Sequence, residues 1–133
     1  MAKTLVNPDI TFQAQSRPFS LGVIAEPPGR LLFVSGQAAT DWNGQVVGKG
    51  DVKAQTRRVL EKIKTIVGSA GGTVKDIVSV TVFLTNMQDY QAMNEVRRDF
   101  FGGEFPSSTA IGVTALVNPD FLVEINAVAM IPG

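Results

Sequence analysis

Apolar and polar residues alternate along this chain with two different periods, and each change of period marks an element. Leu31-Leu32-Phe33-Val34-Ser35-Gly36 is a compact apolar run that ends in small residues, which predicts a strand. Phe19 to Ile24 predicts a shorter strand, ended by Glu26-Pro27-Pro28-Gly29. The turn-rich residues 5–18 before it are expected to lie over the surface. Asp41-Trp42-Asn43-Gly44 carries an Asn-Gly turn signal, so Gln45-Val46-Val47 is expected to fold back as a hairpin partner. From Asp51 the period becomes helical. Val52, Val59, Leu60, Ile63, Ile66 and Val67 share one face behind an Asp cap, with Gly71-Gly72 as the stop, and predict a helix over 52–69.

Ile77 to Leu84 returns to the strand period, with Val78, Val80, Val82 and Leu84 on one side and Ser79, Thr81 and Phe83 on the other. A second helix is predicted from about Asp89 to Phe101, carried by Tyr90, Met93, Val96 and Phe100 and closed by Gly102-Gly103. Strands over about 108–116 and 121–130 follow, joined at Asn118-Pro119-Asp120. This order predicts an α+β fold, two helices packed on one face of a mixed sheet, as a single domain over residues 1–133.

Composition narrows the chemistry more than it narrows the fold. The chain has neither histidine nor cysteine, which removes Ser-His and Cys-His nucleophilic pairs, disulfides and the usual zinc sites. Proton transfer is left to carboxylates, lysine, tyrosine or water. Twelve Lys+Arg balance twelve Asp+Glu, so no electrostatic footprint for nucleic acid or a membrane surface is present. The basic residues of the first helix, Lys53, Arg57, Arg58, Lys62 and Lys64, suit a solvated helix face. Acidic residues show no calcium-loop spacing, so no required metal is expected, and no phosphate-loop or dinucleotide fingerprint occurs. Without an apolar N-terminal run or a membrane-length stretch, a cytoplasmic location is expected.

Glu124 is the most informative candidate. In the last strand Phe121, Val123, Ile125 and Ala127 make one apolar face, which leaves Leu122, Glu124, Asn126, Val128 and Met130 facing away from the helices. A carboxylate there is either solvated on an open sheet face or enclosed by another subunit, where it suits general acid/base work. Ser108, Ala110, Gly112 and Thr114 are expected to share that outward face and to leave room for a ligand. Together with Ser79, Thr81 and Phe83 they predict a face covered by self-association, with a pocket at the seam. Ser35-Gly36 reads either as a turn or as a hydroxyl and a backbone N–H offered to a ligand.

Several separated motifs in order resemble the RidA (YjgF/YER057c/UK114) family: Phe33-Val34-Ser35-Gly36-Gln37, Ile63-Lys64-Thr65-Ile66-Val67, Asp76 through Leu84, Met93-Asn94, Phe105-Pro106 and Val123-Glu124-Ile125. The resemblance runs from about Pro18 to the C-terminus. It implies a chorismate-mutase-like fold, a homotrimer with a small-molecule ligand in each intersubunit cleft, and hydrolysis of reactive enamines or imines to a carbonyl compound and ammonia without metal or cofactor.

Position by position, the resemblance makes Ser35, Gly36 and Asn94 ligand contacts and makes Glu124 the residue that positions the hydrolytic water. Three positions depart from the family's pattern. Ser108 stands where the family has a carboxylate-binding arginine, Phe19 where it has a cleft tyrosine, and Ala110 where it has a cysteine. These mark a divergent subgroup. Loss of a guanidinium forfeits a charge-assisted pair worth about 1.5–3 kcal/mol, which moves the expected substrate from short 2-imino acids toward an aminomuconate-like or neutral molecule. Arg17, Arg97 and Arg98 are the candidates for a relocated cation. The alternative implied by the same departures is a non-catalytic metabolite-binding homotrimer.

Overall fold

The computed structural model describes residues 2–8 and 18–133. Its strands are β1 (Ala2–Val6), β2 (Gly22–Glu26), β3 (Arg30–Ala38), β4 (Ile77–Leu84), β5 (Ser107–Gly112) and β6 (Val123–Ile131), and its helices are α1 (Val52–Ser69) and α2 (Tyr90–Phe101). β1 and β2 pair antiparallel. The other four strands form one mixed sheet in the order β3-β6-β4-β5, in which only β4 and β5 run parallel. Parallel neighbours need a crossover, and α2 provides it.

α1 starts where its sequence signal lies: the Asp51 carboxylate accepts from the Ala54 N–H at 3.0 Å. α2 ends at Gly102, whose φ of 74° is a left-handed conformation that favours glycine. Both helices cover the same face of the sheet. Val59, Leu60, Ile63 and Met93 from the helices meet Val34, Val80, Val82, Ile125 and Ala127 from the strands in one core. The α+β arrangement expected from the element order is the observed one.

Several boundaries differ from the sequence expectation. Leu5 and Val6 belong to β1 rather than to a surface segment, and residues 9–17 lie outside the described residues. The strand expected over Phe19–Ile24 begins later, at Gly22, because Ser20 turns inward to donate its N–H to Pro106 O at 2.8 Å. Gln45-Val46-Val47 forms one isolated bridge, Thr40 to Val46, and no strand. A bulge between Ile77 and Ser79 rotates the start of β4, so Ile77 is buried and Val78 leaves the apolar face assigned to it. β5 stops at Gly112, after which Val113 donates to Leu84 O at 2.9 Å.

Candidate functional site

Glu124 points away from the helices, paired with Ala38 of β3 on one side and Phe83 of β4 on the other. It is half-buried, and neither ion pair among the described residues involves it. Opposite it, β3 is irregular. Val34 pairs with Ala127 and Gln37 with Ile125, so Ser35 and Gly36 together stand across from Asn126 as a bulge. The Ser35-Gly36 signal is thus a bulge in a strand and not a turn. A Cβ on Gly36 would land on Glu124 Oε2 and lie 2.9 Å from its Cδ. Glycine at this position lets the carboxylate sit directly against the β3 backbone.

Both strands are anchored from α1. Lys62 Nζ donates to Ala38 O at 2.9 Å and to Thr40 Oγ1 at 2.8 Å, and Arg58 Nε donates to Thr40 O at 2.7 Å, which holds the end of β3. Burial pushes the Lys62 ammonium below its ordinary pKa, and the Arg58 charge adds to that. Gln55 fixes the approach to β6. Its Nε2 donates to Gly48 O and Asp120 O, and its Oε1 accepts from the Leu122 N–H at 2.9 Å. Sequence reading missed Gln55, whose only signal was a polar residue on the buried face of an amphipathic helix.

A second group gathers at the far side of the sheet. α2 buries Asn94 and Arg97, three residues apart on one helical face. Arg97 Nε donates to Asn94 Oδ1 at 2.8 Å and Nη1 to Ser108 Oγ at 2.6 Å, while the Phe19 ring lies 5.7 Å from the guanidinium carbon. Burial lowers the Arg97 pKa; the Tyr90 phenol offsets part of this and Arg98 adds to it. An arginine nonetheless stays charged. Of the three arginines considered as a relocated cation, Arg97 is the one that reaches Ser108. Arg17 lies outside the described residues, and Arg98 turns toward Phe105.

One expectation about this group is overturned. Ser108, Ala110 and Gly112 do not share the outward face with Glu124: they pair with the buried residues Val80, Val82 and Leu84 on the helix side of the sheet, with Gly112 exposed at the end of β5. Thr114 lies beyond the end of β5. The outward residues of β5 are Thr109 and Ile111, beside Thr81 and Phe83. A strand's parity follows from its register with the neighbour, and a shift of one residue reverses it. Sequence alternation alone supplies the two faces without saying which one is inward.

The candidate residues therefore form two half-sites. Ser35, Gly36 and Glu124 lie at the β3 end of the sheet, and Phe19, Asn94, Ser108 and Ala110, with Arg97, lie at the β5 end. β3 and β5 are separated by three strand spacings, about 14 Å. The outward face carries exposed apolar side chains on β3, with Phe33 71% and Leu31 57% exposed, and a mixture of polar and apolar ones beyond it, Asn126, Thr81 and Phe83 among them. A groove of about 400 Å³ between α1 and α2, lined by Lys53, Arg57, Glu95 and Asp99 among others, contains none of the candidate residues. Among the described residues no cluster of three or more metal-ligating side chains occurs, and no helix is long and apolar enough to cross a membrane.

Compared with known proteins, residues 12–131 match the endoribonuclease L-PSP family. The chain belongs to this family, the RidA/YjgF family that its motifs resemble. Among its relatives, the RutC family protein PH0854 of Pyrococcus horikoshii is 42% identical over 112 residues, 84% of this chain and 86% of that protein. The Rid family protein YyfB of Yersinia pestis, of unknown function, superposes with a TM-score of 0.90 at 33% identity, covering 98% of this chain and all of that one. E. coli TdcF with bound serine superposes with a TM-score of 0.70 at 33% identity over 85% and 87% of the two chains.

Proposed function

We propose that this family member is a hydrolase of small enamines or imines, working in clefts that a homotrimer completes. The observation that carries the reading is the placement of Glu124: an outward carboxylate, half-buried, without an ion-pair partner among the described residues and seated against the glycine of a bulge. Such a carboxylate can take a proton from water as the water oxygen attacks the C=N carbon. The same carboxylic acid returns that proton to nitrogen, which gives a carbinolamine; the carboxylate then takes the hydroxyl proton and delivers it to nitrogen as the C–N bond breaks, and a carbonyl compound and ammonia leave. Ser35 and the backbone beside Gly36 supply polar groups next to that water.

Separation of the two half-sites supports the assembly. One chain cannot bring residues at opposite ends of its sheet onto one small ligand, but a second copy can set its β5 end against the β3 end of the first. Contacts of this head-to-tail kind close into rings, and a ring of three is the form the family resemblance implies. The exposed apolar positions Leu31, Phe33 and Ile111 give that ring an interior to bury. The serine bound by the related TdcF supports a small amino-acid-derived ligand. The family's description as an endoribonuclease has less to work with here, since the chain has no histidine and no excess of positive charge.

Ammonia release from a panel of enamines and imines, carboxylated and neutral, tests the reading. Turnover by the native chain is expected to exceed that of Glu124→Gln by at least the roughly hundredfold that a general base contributes. Equal rates for the two proteins would overturn it. Tight binding of a stable metabolite without turnover would favour the non-catalytic metabolite-binding trimer instead.

A further inference from the structure

The two helices lie side by side over one face of the sheet, and their outer surfaces enclose the groove of about 400 Å³ that holds none of the cleft residues. Its floor is apolar: Leu60 and Val96 are buried, and Phe100 is half-buried beside them. Its walls are charged, with Lys53, Arg57 and Glu61 from α1 and Glu95 and Asp99 from α2. These wall positions recur every four residues, so each side chain stands one turn along the helix from the last. At one end the walls meet, where Lys53 Nζ and Glu95 Oε2 pair at 2.5 Å, and the hydrogen bond from Lys53 holds the Glu95 carboxyl below its ordinary pKa. One turn further on, the charges repeat and the contact does not. Arg57 and Asp99 bring opposite signs to the same groove, yet the side chains of Arg57, Asp99 and Glu61 make no ion pair and no hydrogen bond among the described residues.

We propose that this groove binds a small zwitterion with an apolar body, the chemistry of a free apolar α-amino acid. Arg57 offers its planar fork to the carboxylate, which two parallel N–H···O bonds can hold. Asp99 and Glu61 accept from the ammonium, and the apolar side chain lies on Leu60, Val96 and Phe100. Charge decides against simpler occupants. With Lys53 and Glu95 joined, the walls still present one cation and two carboxylates. A plain anion meets Arg57 together with two carboxylates that repel it, and a plain amine meets a guanidinium that repels it; a zwitterion uses both signs. The size fits as well, since small-molecule pockets start at about 300 Å³ and combine an apolar lining with a few polar groups that fix orientation. The groove lies on the helix side of the sheet, away from the outward face of Glu124, so this site is distinct from the cleft and does not depend on the hydrolase reading. Because its charged walls are exposed, binding is weak and falls as salt is raised.

The test titrates the native protein at low ionic strength with L-phenylalanine and with two isosteres that each lack one charge, 3-phenylpropanoate and 2-phenylethylamine, and follows amide and methyl resonances by NMR. Phenylalanine is expected to shift the Leu60 and Val96 methyl signals and to bind severalfold more tightly than either isostere, the order that one solvent-exposed charge pair supplies. Arg57→Gln is expected to remove its advantage over 2-phenylethylamine, and Asp99→Asn combined with Glu61→Gln its advantage over 3-phenylpropanoate. Both variants should melt as the native protein does, because the side chains replaced are exposed and unpaired. Absence of any shift up to the solubility limit of phenylalanine, equal affinity for the three probes, or shifts confined to β3 and β6 around Glu124 would each overturn the proposal. Glu124→Gln is expected to bind phenylalanine as the native protein does, so a failure of the hydrolase reading and a failure of this one are read separately.

Discussion

The carboxylate of Glu124 occupies the space that a side chain on residue 36 would fill: a Cβ there would overlap Oε2 and come within 2.9 Å of Cδ. The two residues sit on neighbouring strands, β6 and β3, and the bulge at Ser35-Gly36 brings them together. Gly36→Ala is therefore expected to push the carboxylate off the β3 backbone. Since a displacement of about 1 Å can cost roughly a hundredfold in rate, turnover should fall tenfold to a hundredfold. The fold should lose only about 1–3 kcal/mol, the range for local overpacking. Steady-state kinetics beside a thermal melt checks this, and unchanged kcat in a folded variant would show that the carboxylate position does not matter.

Phe33 and Leu31 stand on the outward face of β3, beside Val128 and Met130 of β6. An aromatic ring 71% exposed in one chain gains nothing from water. Phe33→Glu places a charge where the proposed ring buries its interior, and the charge has no partner there. Light scattering should then give a mass near that of the 14.2 kDa chain, whereas the native protein should give about three times as much. A native protein that is already monomeric would remove the completed cleft from the argument.

Much of this architecture was legible because its signals are local. The helix over 52–69 follows from apolar spacing, an Asp cap and a following glycine pair, all within a few residues of one another. Asn94 and Arg97 share a helical face for the same reason, and Ser35-Gly36 was marked by a polar break in an apolar strand. What was not legible depends on partners far along the chain. Whether Ser108 faces inward or outward is decided by its pairing with Val80, 28 positions earlier in the numbering, and the sequence carries no local mark of that register. The division of the site into two halves is not visible either until the strand order β3-β6-β4-β5 is known. The bulge at Ile77–Ser79 displaced Val78 in the same way, by a contact with β6 and not by anything in its neighbours.

Lys62 makes stability depend on pH with a definite sign. Its ammonium is buried where β3 ends, so its folded pKa lies below the ordinary 10.5, with burial the larger cause and Arg58 the second. Between the two values the unfolded chain holds a proton that the folded chain has released, and stability rises with pH across that window. Below the folded pKa the full penalty for the buried charge is present. Relative to Lys62→Met, which has nothing to titrate, the native protein should gain stability as pH climbs through the alkaline range toward 10.5. Denaturant unfolding of both proteins at a series of pH values measures the difference, and a flat difference would mean that the amine is well solvated.

Ser108 gives the most direct check on the β5 half-site. Its hydroxyl lies 2.6 Å from Arg97 Nη1, under the helices and away from the Glu124 face. Replacing it by arginine, the residue the family resemblance would put there, sets a second guanidinium against a first that has no carboxylate to share. Like charges at this range in a partly buried site repel strongly. Ser108→Arg should therefore lower stability by about 1–3 kcal/mol, a large effect for one substitution near a surface. The remedy is specific. Adding Arg97→Met removes the first charge, so the double variant should recover most of the loss, with a coupling above about 0.5 kcal/mol in a double-mutant cycle. Strictly additive stability effects would show that residues 97 and 108 do not touch in solution.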